Sequence, residues 1–490
     1  MTPMTTARPT IVRTIEPPPP PTLEAWLALS AGRFRGVSSP EPATPGAASA
    51  TGASRSREAP ATVVARAAVR RCMEGGSDRR RGREGAAGPP GSRPAAPGLD
   101  CETGRMVDLA RRPSQIACLV ALTVAVPACG AGRDDDPRPR AQTTAAAPRA
   151  LNLASLTPGQ LAGQRLVATF RDTQVPGPAI RRLIRRGELG AVILFTSSAP
   201  TVARARRISD ELQALARRSP VPVPLLVTID QEGGDGRTTG AKRLNDAPPY
   251  RSAQQQAAGG VATVRASGVS AGRALRRAGV NVNLAPVADV GRPRAALTNE
   301  GRSYGSSAAT VGRLTAAFVQ GQGRSGVAST LKHFPGFGAA AVNTDFGVAR
   351  IGLSAATLRR VDEAAFRPGL RAGAQLVMLS NAIYPALDPL PAPLSRRIAV
   401  GELRERFGFR GVSITDDLEA DALRSRGTPA QLAVRAARAG VDLAILGRRA
   451  QSAVDAHAAL TREIATGRLP RAEAEASAQR VLALRTGLRR

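Results

Sequence analysis

The feature that most constrains this chain is a regular alternation between short apolar runs and longer amphipathic segments, which begins near residue 156. Eight runs have the length and apolar content of buried β-strands. The runs are Leu166–Phe170, Ala191–Phe195, Pro224–Asp230, Val280–Val287, Ala328–Phe334, Gln375–Asn381, Gly411–Asp417 and Val441–Gly447. Helical patterns separate or follow most of them, over Val202–Arg217, Val261–Ala278, Ala308–Gly323, Ala356–Ala372, Pro429–Ala439 and Ala453–Thr466.

Eight strand–helix units predict an α/β protein in which residues 156–490 form one (β/α)₈ TIM barrel. The alternative architecture is a doubly wound sheet. The number of strands and the absence of a glycine-rich dinucleotide fingerprint favour the barrel. Apolar residues make up 42% of the 490-residue chain, which is enough to fill a core of that size.

Residues 1–105 have a different texture. They contain the proline run Pro17–Pro21 and stretches rich in Arg, Gly, Pro and Ala, such as Arg79–Arg83 and Gly88–Pro97. This composition buries too little apolar surface to offset the entropy of ordering the chain. We expect the segment either to be disordered or to precede the natural start of the protein.

Residues 106–128 have the organisation of an export signal. Arg111 and Arg112 precede an apolar run over Ile116–Ala128, which is short for a bilayer span. The run ends at Val-Pro-Ala and Cys129, which resembles a bacterial lipobox. The sequence thus predicts a lipoprotein signal peptide, lipidation of Cys129, a flexible spacer over 129–155 and an exported protein anchored to the membrane. The alternative is an uncleaved transmembrane anchor, since residues 113–132 are uncharged.

Charge and metal-binding residues exclude several function classes. The formal net charge is +31, but the excess of Arg is spread along the chain without an aromatic-interleaved basic stripe, so we expect no nucleic-acid partner. None of the four cysteines lies beyond Cys129, and the chain has only two histidines, His333 and His457. These counts exclude a zinc site built from thiolates or mainly from imidazoles in the barrel, and we expect no metal and no organic cofactor.

Polar side chains cluster where the predicted strands end, which is the face that carries chemistry in a TIM barrel. The third run is followed by Asp230-Gln231-Glu232-Gly233-Gly234, and the fifth contains Lys332 and His333 near its end. The seventh ends in Thr415-Asp416-Asp417. Carboxylates that converge on one rim with Lys and His between them indicate a polar substrate that carries several hydroxyl groups.

Six motifs occur in a fixed order along the barrel, and together they are highly specific. They are LLVTIDQEGG, AGVNVNLAPVADV, GRSYG, STLKHFPGFG, YPALDPLPAPLS and FGFRGVSITDDLEADAL. In this order the chain resembles glycoside hydrolase family 3, and most closely its single-barrel β-N-acetylhexosaminidase branch. The resemblance covers residues 156–490.

The resemblance implies roles for individual residues. Asp416 matches the catalytic nucleophile of the family, and Asp230 matches the carboxylate that binds sugar hydroxyls. Arg302 matches the arginine of the sugar subsite, and Lys332 and His333 match the Lys-His pair that contacts the same sugar. A retaining glycosidase needs one ionised carboxylate at the anomeric carbon and one proton donor close to it.

The chain departs from that branch at the proton donor. Where the branch has an Asp-Ser-His dyad, this sequence reads Asn343-Thr344-Asp345. Because the histidine donor is missing, we expect Asp345 to serve as the general acid and base. Asp417 and Glu232 are expected to be structural, and His457 is expected to lie on the surface.

We therefore expect an exo-acting retaining glycosidase that removes terminal β-linked N-acetylglucosamine from peptidoglycan fragments or related glycans, as a monomer. Aromatic residues make up only 3% of the chain, which favours a compact pocket over a long cleft lined with stacking rings. The alternatives are a β-glucosidase-like or phosphorolytic specificity, and a sugar-binding lipoprotein without catalytic activity.

Overall fold

The computed structural model describes residues 152–234 and 244–488. Ten strands occur in these residues: β1 (Leu166–Ala168), β2 (Ala191–Ile193), β3 (Leu226–Ile229), β4 (Val282–Asn283), β5 (Ala328–Phe334), β6 (Leu376–Leu379), β7 (Ile383–Tyr384), β8 (Asp388–Pro391), β9 (Val412–Asp417) and β10 (Leu443–Leu446). Eight of them form a closed parallel barrel in the order β1-β10-β9-β6-β5-β4-β3-β2, and β7 and β8 form a separate antiparallel pair. The predicted (β/α)₈ barrel is confirmed, and each barrel strand lies within one of the eight apolar runs.

The α-helices surround the barrel. They are α1 (Pro158–Gly163), α2 (Pro178–Arg185), α3 (Val202–Arg217), α4 (Ala253–Ala258), α5 (Gly260–Arg277), α6 (Ala296–Asn299), α7 (Ala308–Gly323), α8 (Ala355–Thr357), α9 (Phe366–Arg371), α10 (Pro429–Arg438), α11 (Ala450–Ala465) and α12 (Arg471–Gly487). Short 3₁₀ segments span Leu153–Ser155, Glu363–Ala365, Ala392–Leu394 and Asp421–Arg426, and π-helical segments span Leu358–Asp362 and Arg397–Arg406.

The helices begin where the sequence supplies caps. The side chain of Thr201 accepts a hydrogen bond from Arg204 N at the start of α3, and Ser307 accepts one from Thr310 N at the start of α7. At α10, Thr428 and Gln431 form a capping box ahead of Pro429. Each cap satisfies a backbone donor that the first helical turn leaves without a partner.

Side chains alternate between two apolar layers along the strands. Val167, Ile193, Leu226, Met378 and Ile414 belong to the cluster inside the barrel. Their neighbours along the strands, such as Ala168, Val192, Val227, Val377 and Leu379, pack in the larger cluster with the surrounding helices. A parallel barrel is buried on both faces, which explains why its strands read as continuous apolar runs.

The N-terminal end of the barrel is closed by α12. Arg485 on this helix is buried and donates hydrogen bonds to the carbonyl oxygens of Pro224 (2.8 Å) and Val223 (2.7 Å) just before β3. Its third partner is the side chain of Gln164, which lies just before β1. The N-terminal face thus carries structural contacts, and the C-terminal rim is left for the functional residues.

The predictions for residues 1–151, including the signal peptide, Cys129 and most of the spacer, lie outside the described residues. Within residues 152–234 and 244–488, no helix combines the length and the apolar content needed to cross a membrane.

Candidate active site

Three carboxylates and two cations lie together at the C-terminal rim. Lys332, on β5, has its Nζ atom 2.7 Å from Oδ1 of Asp230 and 2.7 Å from Oε1 of Glu232. Arg302 binds the same Glu232 through two hydrogen bonds, of 2.8 and 2.9 Å, and Glu300 through a third of 3.1 Å. The structure therefore brings together three of the predicted sugar-binding residues, Asp230, Arg302 and Lys332.

Glu232 binds both cations of this cluster. Its side chain is only 4% exposed. Burial alone would raise the pKa of the Glu232 carboxyl, but the charges and hydrogen bonds of Arg302 and Lys332 outweigh it and hold the pKa well below its ordinary range. Burial alone would lower the pKa of the Lys332 ammonium group. The nearby carboxylates of Asp230 and Glu232 outweigh burial and raise that pKa above its usual value. Glu232 and Lys332 are thus both charged at neutral pH.

His333 is oriented by a residue that the sequence analysis did not assign. Asp289, in the segment after β4, lies with Oδ2 2.7 Å from Nδ1 of His333. It also accepts hydrogen bonds from the backbone N–H groups of His333 (3.1 Å) and Phe337 (2.6 Å). If Nδ1 carries the proton, Nε2 is left as the nitrogen available to a ligand. The signal for this role was a single carboxylate inside the apolar stretch Ala-Pro-Val-Ala-Asp-Val.

The turn after the Lys-His pair needs its glycine. Gly336 has φ +136°, and a Cβ atom there would lie 2.4 Å from Cβ of the buried Asp362. Asp362 is in turn bound by both terminal nitrogens of Arg292, at 2.8 and 2.7 Å. The close packing of this turn holds the end of β5, and with it Lys332 and His333, in place.

Asp416 lies at the end of β9, on the same rim. Its Oδ1 atom accepts a hydrogen bond of 2.8 Å from the backbone N–H of Asp417. Burial raises the pKa of the Asp416 carboxyl above its ordinary range, the nearby charge of Asp345 raises it further, and His333 and Lys332 oppose the shift. Asp416 therefore lies among the residues that the sequence analysis selected, within electrostatic reach of Lys332, His333 and Asp345.

Asp417 points into the structure. Its Oδ1 atom accepts hydrogen bonds of 3.0 Å from the backbone N–H groups of Glu419 and Gly447, and Nδ2 of Asn381 donates to its carbonyl oxygen over 2.7 Å. Burial raises the pKa of the Asp417 carboxyl to about 7. These contacts tie β9 to β6 and β10, which agrees with the structural role expected for this residue.

Asp345 lies on the loop after β5 and is solvent-exposed. Its backbone N–H donates to Oδ1 of Asn343 (3.0 Å), and Nδ2 of Asn343 donates to Oε1 of Glu300 (2.9 Å). Because Glu300 also binds Arg302, the Asp345 turn is connected by hydrogen bonds to the cation cluster. The role of Glu300 was not predicted, since nothing in the sequence distinguishes it from a surface glutamate.

The described residues contain no group of three or more His, Cys, Asp or Glu side chains arranged to hold a metal ion. His457 lies far from this rim, on α11, where its Nε2 is 3.0 Å from the carbonyl oxygen of Gly159 on α1, and its side chain is 12% exposed. It is partly buried, and the expectation of a surface position is wrong because α11 packs against α1.

A closed parallel barrel that gathers carboxylates, Lys, Arg and His on its C-terminal rim has the architecture of a TIM-barrel enzyme. A family model described as the glycosyl hydrolase family 3 N-terminal domain matches residues 163–484. The chain belongs to glycosyl hydrolase family 3, as the order of its motifs indicated.

Three similar proteins illustrate the relationship. An uncharacterized secreted glycosyl hydrolase of Arthroderma benhamiae is 36% identical over 340 residues, which are 67% of this chain and 93% of the relative. A β-N-acetylhexosaminidase structure from Beutenbergia cavernae is 33% identical with a TM-score of 0.61, covering 68% of this chain and 99% of the other. A family 3 β-N-acetylglucosaminidase structure from a Paenibacillus species is 33% identical with a TM-score of 0.63, and the match covers 68% of this chain but only 63% of that protein.

Proposed function

We propose that this protein is an exo-acting retaining β-N-acetylhexosaminidase that removes terminal β-linked N-acetylglucosamine. The observation that carries the proposal is that Asp416 lies at the end of β9 and that the turn of Asp345 is hydrogen-bonded to the segment that follows β9. Two carboxyl groups on opposite sides of a scissile bond are what a retaining glycosidase requires. The Beutenbergia and Paenibacillus relatives, which are described as enzymes of this specificity, support the choice of sugar.

In this mechanism Asp416 is the nucleophile. One of its carboxylate oxygens attacks the anomeric carbon, the bond from that carbon to the glycosidic oxygen breaks, and the bonding electrons leave with that oxygen. Lys332 and His333 lie near Asp416 and favour its ionised form, against the burial that disfavours it. In this proposal Asp230, Arg302, Lys332 and His333 bind the sugar hydroxyls and hold the ring in place during the attack.

Asp345 supplies the proton. In the first step the Asp345 carboxylic acid gives its proton to the leaving glycosidic oxygen, which departs as an alcohol. In the second step the Asp345 carboxylate takes a proton from water, whose oxygen attacks the anomeric carbon and releases Asp416. The exposed position of Asp345 is consistent with access to both the leaving group and the incoming water.

The first test is hydrolysis of a panel of nitrophenyl β-glycosides that differ only in the sugar. We expect the N-acetylglucosaminide to be the best substrate, with the product formed in the β configuration by NMR. Asp416→Asn is expected to lower turnover by several orders of magnitude with little change in stability, because the substitution is nearly isosteric. A fluorosugar that traps the intermediate should label the peptide that contains Asp416; labelling at Asp417 or Glu232 would contradict the assignment.

The second test concerns the acid. Asp345→Ala should slow substrates with poor leaving groups far more than nitrophenyl substrates, and azide should restore the second step as a glycosyl azide. Equal losses on both kinds of substrate, without azide rescue, would reduce Asp345 to a loop carboxylate. Sugar binding without turnover of any substrate would instead indicate a carbohydrate-binding protein.

We further propose that the enzyme acts in the cell envelope, on peptidoglycan fragments or related glycans, tethered through a lipid on Cys129. The Arthroderma relative is described as secreted, and Cys129 directly follows the apolar run of the signal-like segment. Cys129→Ala should abolish lipidation, and the variant should no longer partition into the detergent phase. Deletion of residues 1–105 should not impair export. Detergent partitioning that survives the substitution would support an uncleaved anchor.

A further inference from the structure

Large apolar side chains are exposed on one face of the described barrel. Among residues 152–234 and 244–488 they are Val175, Tyr250, Val342, Phe346 and Val348. Each lies on a loop that follows a barrel strand, so all of them are at the C-terminal rim and none is on the surrounding helices. Three of them, Val342, Phe346 and Val348, share the loop that carries Asp345, and we call these three the rim patch.

Phe346 is the most exposed of the set, at 78%. Solvent exposure of a phenylalanine costs free energy that burial against a ligand would recover. Other phenylalanines of the barrel are buried: Phe334 packs against Phe366 and against Phe407. The exposed ring belongs to the residue that follows the proposed proton donor in the chain, which makes it a candidate contact for a bound ligand.

The loop that presents Phe346 is held on both sides. The backbone N–H of Phe346 donates to the carbonyl oxygen of Asn343 over 3.0 Å, which closes a turn with Asp345 inside it. The carbonyl oxygens of Thr344 and Asp345 accept hydrogen bonds from Ala422 N (3.1 Å) and Asp421 N (3.4 Å), in the segment after β9.

A third contact fixes the other end of the turn. The side chain of Asn343 donates to Glu300 in the segment after β4. The ring of Phe346 is thus presented from a turn that is fixed to the segments after β4 and β9, rather than from a free loop end, and binding to it would require little additional ordering of the backbone.

We propose that the rim patch is the binding surface for the leaving-group sugar, a hexopyranose ring whose C–H face packs on Phe346. The inference rests on the proposed function, because a proton donor must reach the glycosidic oxygen. The ring beyond that oxygen then lies next to Asp345, and Phe346 is the next residue in the chain. An aromatic ring suits the apolar face of a pyranose, while the ring hydroxyls remain in water at an exposed rim. The substrate class is a β-linked disaccharide or longer glycan rather than a glycoside with a small aglycone.

The test compares two substrates that share the N-acetylglucosaminyl group and differ in what occupies the rim patch. One is the β-1,4-linked disaccharide of N-acetylglucosamine, and the other is N-acetyl-β-glucosaminyl fluoride, whose leaving group is a single atom. Phe346→Ala should lower the ratio of kcat/KM for the disaccharide to that for the fluoride by about tenfold, the scale expected for losing part of the burial of one aromatic side chain. Phe346→Trp should retain the wild-type ratio.

A matched pair of valine substitutions provides the control. Val348→Thr and Val175→Thr make the same isosteric change at similarly exposed positions, 51% and 46%, on the loops after β5 and β1. Val348→Thr should lower the ratio, and Val175→Thr should not. Thermal melting of all four variants monitors folding.

Two results would overturn the proposal while leaving the glycosidase assignment intact. One is an equal loss on both substrates in Phe346→Ala, which would mean that the ring only orders the Asp345 turn. The other is an unchanged ratio in Phe346→Ala with wild-type rates. Failure of the wild-type protein to hydrolyse either substrate would overturn both this proposal and the proposed function.

Discussion

The side-chain amide of Asn343 donates a hydrogen bond to Glu300 over 2.9 Å, and its carbonyl oxygen accepts one from the backbone N–H of Asp345 over 3.0 Å. Since Glu300 also binds Arg302 at 3.1 Å, one amide connects the sugar-binding cations to the turn of the proposed proton donor. The contact with Glu300 needs an amide, because a carboxylate could accept from Asp345 N but could not donate to Glu300. Asn343 therefore makes a specific hydrogen bond that the aspartate of the family dyad could not make at this position.

This connection predicts a positioning role for Asn343. Asn343→Ala should lower kcat for substrates with poor leaving groups by about ten- to a hundredfold, the lower part of the range for general acid catalysis, with a smaller effect on nitrophenyl substrates. The measurement is a plot of log kcat against leaving-group pKa, which should become steeper. Asn343→Asp is the matched variant, because it keeps the acceptor for Asp345 N and removes only the donor to Glu300. It places a second carboxylate against Glu300, so it should also lose activity. A uniform drop across all leaving groups would indicate a general effect on folding of the loop.

The effect of the Asp345 charge on the pKa of Asp416 predicts a change in pH dependence. The charge of Asp345 contributes to raising the pKa of Asp416, so Asp345→Asn should lower that pKa. The acid limb of kcat/KM reports ionisation of the nucleophile in the free enzyme and should therefore move to lower pH. The profile is measured with a dinitrophenyl glycoside, which needs little acid assistance. An acid limb that stays in place, or moves to higher pH, would contradict this effect.

Much of the fold could be predicted because burial on both faces of a parallel barrel leaves a direct mark on the sequence. Each barrel strand lies in a continuous apolar run, and α3 and α7 match their predicted bounds of 202–217 and 308–323. The β7–β8 pair and the π-helical segment Arg397–Arg406 were not predicted. Strands of two and four residues carry too few positions to show a periodicity, and a π-helical segment breaks the 3.6-residue repeat by which helices are recognised.

Candidate site residues could be selected from the sequence where they lie at the end of a predicted strand. Asp230, Lys332, His333 and Asp416 could be selected in that way, and Arg302 through its motif. Glu300 and Asp289 could not be assigned, because their roles depend on which loops meet in space, and loop contacts across the rim leave no spacing in the chain. For the same reason the sequence did not predict the bidentate contact of Glu232 with Arg302, which joins residues 70 positions apart.

The raised pKa of Asp417 predicts how stability varies with pH. Burial raises the pKa of this carboxyl to about 7, whereas an unfolded aspartate has a pKa of about 3.9. Below that value the carboxyl is protonated in both states, and its contribution to stability is fully present. As the pH rises from about 4 to about 7 the unfolded state ionises first, so the free energy of unfolding falls, by up to about 4 kcal/mol for a shift of this size.

Asp417→Asn should remove this part of the decline, since an amide has no charge to desolvate and its oxygen can still accept from Glu419 N and Gly447 N. The check is denaturant unfolding of both proteins at several pH values. We expect the variant to gain stability relative to wild type as the pH rises from about 4 to about 7. A difference that is constant across this range would show that folding does not raise the pKa of the Asp417 carboxyl.

Lys332 is one of only two lysines in a chain rich in arginine, and its environment explains why an ammonium group suits the position. The side chain is 2% exposed, with Asp230 and Glu232 each 2.7 Å from Nζ. A guanidinium group is broad and planar, and it could not enter this narrow space without displacing one of the carboxylates. Lys332→Arg is therefore expected to be as damaging as a neutral substitution, although it preserves the charge.

Lys332→Met should destabilise the protein by about 1–3 kcal/mol, because it removes one of the two cations that bind the buried Glu232 and one partner of Asp230. Adding Glu232→Gln should restore part of this loss, since the double variant no longer buries a carboxylate beside the missing ammonium. A double-mutant cycle on the free energy of unfolding measures that coupling, which we expect to exceed 1 kcal/mol. If the two substitutions are additive, the short Lys332–Glu232 contact makes no net contribution to stability.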